Sequence, residues 1–232
     1  MGKNAGPVCV TRQQAEKQWQ YEGVTVLQAS LSLPDTKTPG SAGRRFRRYY
    51  RLYARSFFRY CQMELFPQAL QIYRRCREQQ QPFSPLQAQL RTTVTLQNER
   101  LLSLYTDLEE NTDGPSFCIR RSDGWDLTRG YPLTLFQLFP GIKKQDLILQ
   151  LRQQAQLREK AGVSCWREGW RQNLRRYFSP ANFYLTGQEL CFFYPMYALG
   201  GPGEGIPVFS LPMPERGLPA FLSVTAAEPD HT

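Results

Sequence analysis

The residues of this chain best suited to chemistry form three groups, and the densest is a row of arginines. Arg44, Arg48, Arg51, Arg55 and Arg59 recur at three- and four-residue steps. On a helix that spacing sets five guanidinium groups along one face. A guanidinium is a forked donor that suits phosphates and carboxylates, and interleaved tyrosines could stack on bases. Residues 42 to 80 contain ten Arg and two Glu, a local balance of +8 in a chain of formal charge +9. The row is either an anion- or partner-binding face or the solvated side of a helix whose opposite side is core, and a charge run alone does not decide. The second group is acidic: Asp107, Glu109, Glu110, Asp113, Asp123 and Asp126. Paired carboxylates can serve acid–base or metal chemistry. Here their spacing matches no metal-binding loop, turn residues explain them equally, and no nucleophile and base can be assembled beside them.

The third group is the six cysteines, Cys9, Cys61, Cys76, Cys118, Cys165 and Cys191. None forms a Cys-x-x-Cys pair, and only His231, the penultimate residue, could supply an imidazole. That pattern argues against a zinc site and against a His-dependent triad. The loop Gly200-Gly201-Pro202-Gly203-Glu204-Gly205 could offer backbone N–H groups to an anion. It lacks the Gly-Lys-Ser/Thr ending of a phosphate loop and leads into a strand, so a wide turn without regular structure is expected. No catalytic, metal or cofactor-binding residue is assigned, and the expected cofactor complement is none.

These residues need elements to position them. At 232 residues and 41% hydrophobic, the chain can bury one large core or two small ones sharing a sheet. Residues 1–20 read as a flexible lead-in, with a helical turn around Gln13 to Trp19, and Val24 to Leu33 as a strand stopped by Pro34. Ala42 to Gln80 reads as a long helix. Phe46, Tyr49, Tyr50, Tyr53, Phe57 and Tyr60 form its apolar stripe opposite the arginines, and Pro67 should kink or break it. Arg91 to Leu96 and Leu101 to Leu108 make a hairpin, followed by a strand from Ser116 to Arg121 and a turn at Asp123-Gly124. Tyr131 to Phe139 is an apolar connection. Lys143 to Lys160 reads as an amphipathic helix with Leu147, Leu151, Ala155 and Leu157 inward, and Ser164 should cap a second helix carrying Trp170 and Leu174.

Phe183-Tyr184-Leu185 and Leu190 to Tyr194 then form a hairpin about Thr186 to Glu189, and Val208 to Leu211 a third strand closed by Pro212 and Pro214. The resulting class is α+β: a mainly antiparallel sheet with one long N-terminal helix and two further helices. The expected division is 21–140 for a strand–helix–meander subdomain, 141–214 for a helix–helix–strands subdomain and 215–232 for a loose tail. Nothing approaches eighteen consecutive apolar residues and no export signal opens the sequence, so a cytoplasmic protein with reduced thiols and no membrane span is expected.

The same C-terminal stretch resembles a known family. "Phe-Tyr-Leu-Thr" before the turn, "Phe-Phe-Tyr-Pro" after it and "Gly-Ile-Pro-Val-Phe-Ser-Leu-Pro" beyond the glycine loop resemble the C-terminal module of the RsiV-like family of bacterial domains. Gly130 to Phe139 looks like that family's "G-x-x-L-x-L-x-x-L-F" segment, and Val94 to Leu96 with Leu102 to Tyr105 like its central strand pair. The resemblance spans about residues 20 to 214, through the order and spacing of four motifs. It implies an α+β ligand-binding domain without enzymatic activity. The best-known member is a lysozyme-sensing anti-sigma factor, and related modules accompany polysaccharide deacetylases. Three departures limit the transfer. The family usually carries a membrane segment or export signal upstream, and neither is seen in this sequence. The family's "Tyr-Thr-Gly-Gly-Ala-His" turn corresponds to Asn111 to Ser116 with most of the pattern lost. A chain of charge +9 would repel basic lysozymes at long range. The expectation is therefore an uncharacterised binding or sensing module with an unknown protein or anionic polymer as partner. The alternatives are a nucleic-acid or polyanion binder through Arg44 to Arg59 and a cell-wall enzyme accessory domain.

Overall fold

The computed structural model describes residues 7–111 and 117–214. Its framework is a six-stranded sheet in sequence order: β1 (Thr11–Tyr21), β2 (Val24–Asp35), β3 (Leu86–Gln97), β4 (Leu101–Asn111), β5 (Phe117–Asp126) and β6 (Tyr131–Leu133). Every neighbouring pair is antiparallel except β2 and β3. A parallel pair needs a long crossover, and here the crossover is the long helix: α1 (Gly40–Tyr60), a π turn (Cys61–Leu65) and α2 (Phe66–Glu78).

Several expectations are corrected. The stretch read as a flexible lead-in contains β1. Its hydrophobic pattern is weak, with only Trp19 buried. What forms it is pairing with β2 along its whole length through a two-residue turn, Glu22 and Gly23 at φ 50° and 79°. Positive φ at both central residues gives a turn whose twist matches that of the strands. The long helix is not N-terminal, since two strands precede it. Nor does Pro67 break it. Pro67 lies at the start of α2, where the widened π turn already displaces the regular bonds and Phe66 N–H reaches back to Cys61 O. A proline in a first turn removes a donor that had no partner to lose. Asp123-Gly124 is strand interior rather than a turn.

The second core is built by α3 (Leu135–Leu138), α4 (Lys144–Lys160), α5 (Trp170–Arg176) and an antiparallel sheet of β7 (Phe183–Leu185), β8 (Glu189–Phe193) and β9 (Val208–Pro212). The hairpin and third strand lie as the sequence indicated. Leu135, Leu138 and Phe139 already belong to this core, ahead of position 141. Three local readings fail. Leu157 is 66% exposed. Ser164 caps nothing, and α5 begins after Gly169, at φ 74°. The glycine loop holds one 3-10 turn, Pro202–Glu204.

The two cores meet at β4. Leu185 N–H donates to the buried Ser103 Oγ at 2.8 Å, and the rings of Tyr105 and Tyr184 lie 5.0 Å apart. The long helix packs on the other face of the same sheet, over Leu90, Leu104 and Trp125.

Candidate recognition surfaces

Helical periodicity divides α1 into an inner and an outer face. Phe46, Tyr50 and Phe57 are buried in the first core. Tyr49, Tyr53 and Tyr60 fall on the flank beside β4 and β5, where hydroxyl groups meet carboxylates. Tyr49 OH donates to Asp123 Oδ1 at 2.6 Å, Tyr50 OH to Asp123 Oδ2 at 3.4 Å, and Tyr60 OH to Glu110 Oε1 at 2.7 Å. Trp125 Nε1–H in turn donates to Tyr50 OH at 2.9 Å. The Arg121 guanidinium lies 3.6 Å from Asp123 Oδ1 and also donates to Tyr49 OH. Burial of the Asp123 carboxyl raises its pKa, and the two tyrosine donors and Arg121 oppose that rise only in part. Burial, then the charge of Asp123, raises the Tyr49 and Tyr50 hydroxyls well above the usual tyrosine range.

The outer face is different. Arg44, Arg48, Arg51, Arg55 and Arg59 are all exposed and, among the described residues, meet no carboxylate. Their span is about 22 Å at the rise of an α-helix. Arg44, Arg48, Arg51 and Arg55 line a shallow depression of about 760 Å³ with the exposed Leu52 at its side. Two arginines between them are tied down instead. Arg47 Nε–H donates to Thr36 O at 2.8 Å, and Arg45 donates to the carbonyls of Arg129 and Gly130 while lying 4.2 Å from the Tyr131 ring. The sequence row was therefore a mixture in type but clean in phase: only the five arginines of the predicted spacing stand free.

The acidic group is dispersed into structural pairs. Asp107 takes a two-pronged contact from Arg120 at 2.8 and 2.7 Å, with Arg120 stacked 3.8 Å from the Tyr105 ring. Asp126 Oδ1 accepts from the backbone N–H groups of Thr128 and Arg129, closing the β5–β6 turn. Asp113 and His231 lie outside the described residues. Asp107, Glu109 and Cys118 do bring ligand atoms within 4.8 Å of one another. The donor set fits a cation poorly. Arg120 already neutralises Asp107, and burial pushes the Cys118 thiol up to about 11, so it stays protonated at neutral pH. All six cysteines are free thiols.

A site that the sequence reading missed lies where the two cores meet. An open cleft of about 630 Å³ runs between β5, the β6–α3 segment and the lead into β7. Its apolar wall is Pro132, Leu133, Phe136 and Pro180, with Phe136 47% exposed; its polar floor is Tyr49, Arg121 and Asp123. Ser122 Oγ–H donates to Ala181 O at 3.0 Å and fixes the lead into β7 against β5. Thr134 holds the other lip in place: its hydroxyl accepts from Gln137 N–H while Gln137 Oε1 accepts from Thr134 N–H. That reciprocal cap is legible in the Thr-x-x-Gln spacing at 134–137, and it was the available signal.

With this geometry in view, the class of protein can be set against known ones. No protein-family description matches the chain, and no curated protein matches it. Among solved structures it is similar to a DUF3298 family member from Bacteroides fragilis, at 17% identity over 90% of this chain and 92% of that one, with a TM-score of 0.59. It is also similar to a DUF3298 family protein from Pseudomonas aeruginosa, at 16% identity over 95% and 98%, with a TM-score of 0.56. Likeness at this identity defines the fold: an α+β domain of the kind seen in those structures. No helix among the described residues is long and apolar enough to cross a membrane.

Proposed function

We propose that the chain is a non-enzymatic binding or sensing module, comparable to the ligand-binding domain of RsiV-like proteins, and that its ligand seats in the cleft between the two cores. One observation carries this reading. The cleft has an apolar wall with an exposed aromatic ring, while its polar residues are engaged with each other rather than free to react. Few fixed polar groups in a mostly apolar concavity is the pattern of a binding site. The order of motifs shared with RsiV-like domains supports the same assignment; lysozyme is not proposed as the ligand, because the chain is itself strongly basic. The test uses 3-phenylpropionate, an aromatic ring bearing a carboxylate, as an NMR probe. Saturable shifts at Pro132 to Phe136 and at Asn182 and Phe183, weakened by Phe136→Ala, are expected. Shifts scattered over the surface, or any turnover lost in Asp123→Asn, would overturn the proposal.

A second reading rests on a separate observation, the five unpaired outer arginines of α1. They suit the phosphates of a nucleic acid or another polyanion. The tyrosines of the helix face inward, so no base-stacking platform accompanies the arginines. Binding would then follow charge rather than sequence. Duplex DNA affinity falling steeply with salt, and with paired Arg→Ala changes at 48 and 55, supports this reading; affinity indifferent to both removes it.

A further inference from the structure

The two edges of the six-stranded sheet are protected differently. β1 carries Arg12, Glu16 and Lys17 along its length, and such charges discourage a further strand from adding. β5 is covered by β6 only from Gly124 to Asp126, and the second core reaches it at Ser122. Between Phe117 and Arg121 the outward backbone groups of β5 have no partner among the described residues.

The direction of those groups follows from the ladder. Leu127 N–H donates to Arg100 O at 2.7 Å, continuing the antiparallel pairing of β4 with β5. Antiparallel strands alternate the residues that bond to one neighbour. Odd-numbered residues of β5 therefore bond to β4, and the N–H and C=O groups of Cys118 and Arg120 point outward. Pairing with β6 agrees: Pro132 has no N–H, so the bonds fall at Gly124 and Asp126, again even-numbered.

The side chains on the helix side of this edge are apolar and open. Phe117 is 41% and Ile119 49% exposed, and Arg121, next in the same row, has a side chain 52% exposed. A free backbone edge beside alternate apolar side chains is the arrangement that captures an extended peptide.

We propose that the Phe117–Arg121 edge of β5 binds an extended, acidic segment of another protein as an added antiparallel strand. Apolar residues of that segment would oppose Phe117 and Ile119, and a carboxylate would oppose Arg121. Charge selects this occupant over a second copy of the chain. Edge-to-edge self-pairing would bring two chains of charge +9 together, whereas an acidic strand is attracted.

The experiment uses the full chain and a fluorescein-labelled peptide, Thr-Glu-Thr-Ile-Thr-Ile-Thr, followed by anisotropy. Saturable binding is expected, with a loss of at least about tenfold when the peptide amides that face β5 are N-methylated, since methylation removes strand pairing and keeps the side chains. A comparable loss is expected for Ile119→Glu, at an exposed position, and none for Ala15→Glu on the β1 edge. Absence of saturable binding, or binding indifferent to N-methylation, overturns the proposal. So does a concentration-dependent dimer that Ile119→Glu abolishes, because the edge would then belong to a second copy.

Discussion

The two faces of α1 do opposite work: the inner face and its flank carry phenylalanines and tyrosines, and the outer face carries arginines. On the inner face and its flank the hydroxyl groups of Tyr49, Tyr50 and Tyr60 are engaged, the first two with Asp123 and the third with Glu110, and Trp125 donates to Tyr50. On the outer face five guanidinium groups stand at helical spacing without a carboxylate among the described residues. Like charges at that spacing disfavour a helix by a few tenths of a kcal/mol per pair. The inner face thus holds the fold together, and the outer face is maintained at some expense to it. Substitutions that move stability on one face and leave it untouched on the other would sharpen this contrast.

The largest effect is expected from Asp123→Ala. It leaves two tyrosine hydroxyls without an acceptor and Arg121 without its ion partner. A loss of about 2–4 kcal/mol is expected in urea unfolding, below that of a fully buried pair because Arg121 is half exposed. A loss under about 1 kcal/mol would show that the inner network is incidental.

A loss of about 2–3 kcal/mol is expected for Gly130→Ala, which tests the clamp on the start of α1. Gly130 sits at φ 67°, and an added Cβ would lie 2.6 Å from both Cα and O of Ala42. Arg45, bonded to the Gly130 carbonyl, reinforces the same junction. Next comes Tyr50→Phe, which removes one acceptor for Trp125 Nε1–H and one donor to Asp123 at the price of about 1–2 kcal/mol.

The inner face also has a pH signature. An unfolded aspartate titrates near about 3.9, whereas the folded Asp123 carboxyl is raised by burial. Between those two values the native chain binds more protons than the unfolded one. The stability that Asp123 contributes through this difference is complete below the unfolded value and is lost as pH rises through the folded one. Urea midpoints from pH 3 to 7 should show that slope in the wild type, and Asp123→Asn should flatten it.

Much of the contrast was legible in the sequence, because three- and four-residue spacing sorts Phe46, Tyr50 and Phe57 from Arg44, Arg48 and Arg51 without reference to tertiary structure. The hairpin of β7 and β8 was legible for the same reason, its apolar runs being broken by a glycine-containing turn. What failed depended on partners distant in the chain. β1 has little pattern of its own and exists through pairing with β2. Asp123-Gly124 looks like a turn, yet Gly124 pairs with Ser103 on one side and Leu133 on the other. The cleft was not legible at all, since it brings residues near 49, 121, 136 and 182 together across two cores.

The smallest effect is the one that separates the faces most cleanly. Arg48→Ala with Arg55→Ala removes two exposed charges that meet no carboxylate among the described residues, so no native ion pair is lost. Unfolding free energy should change by less than about 0.5 kcal/mol, in the stabilising direction if repulsion along the ridge outweighs lost packing of the arginine stems. Salt discriminates between the two contributions: relief of repulsion fades as ionic strength rises from 20 mM to 500 mM, whereas a packing loss does not. A destabilisation above about 1 kcal/mol that salt leaves unchanged would place these two arginines with Arg45 and Arg47, as parts of the fold, and would dissolve the distinction between the faces.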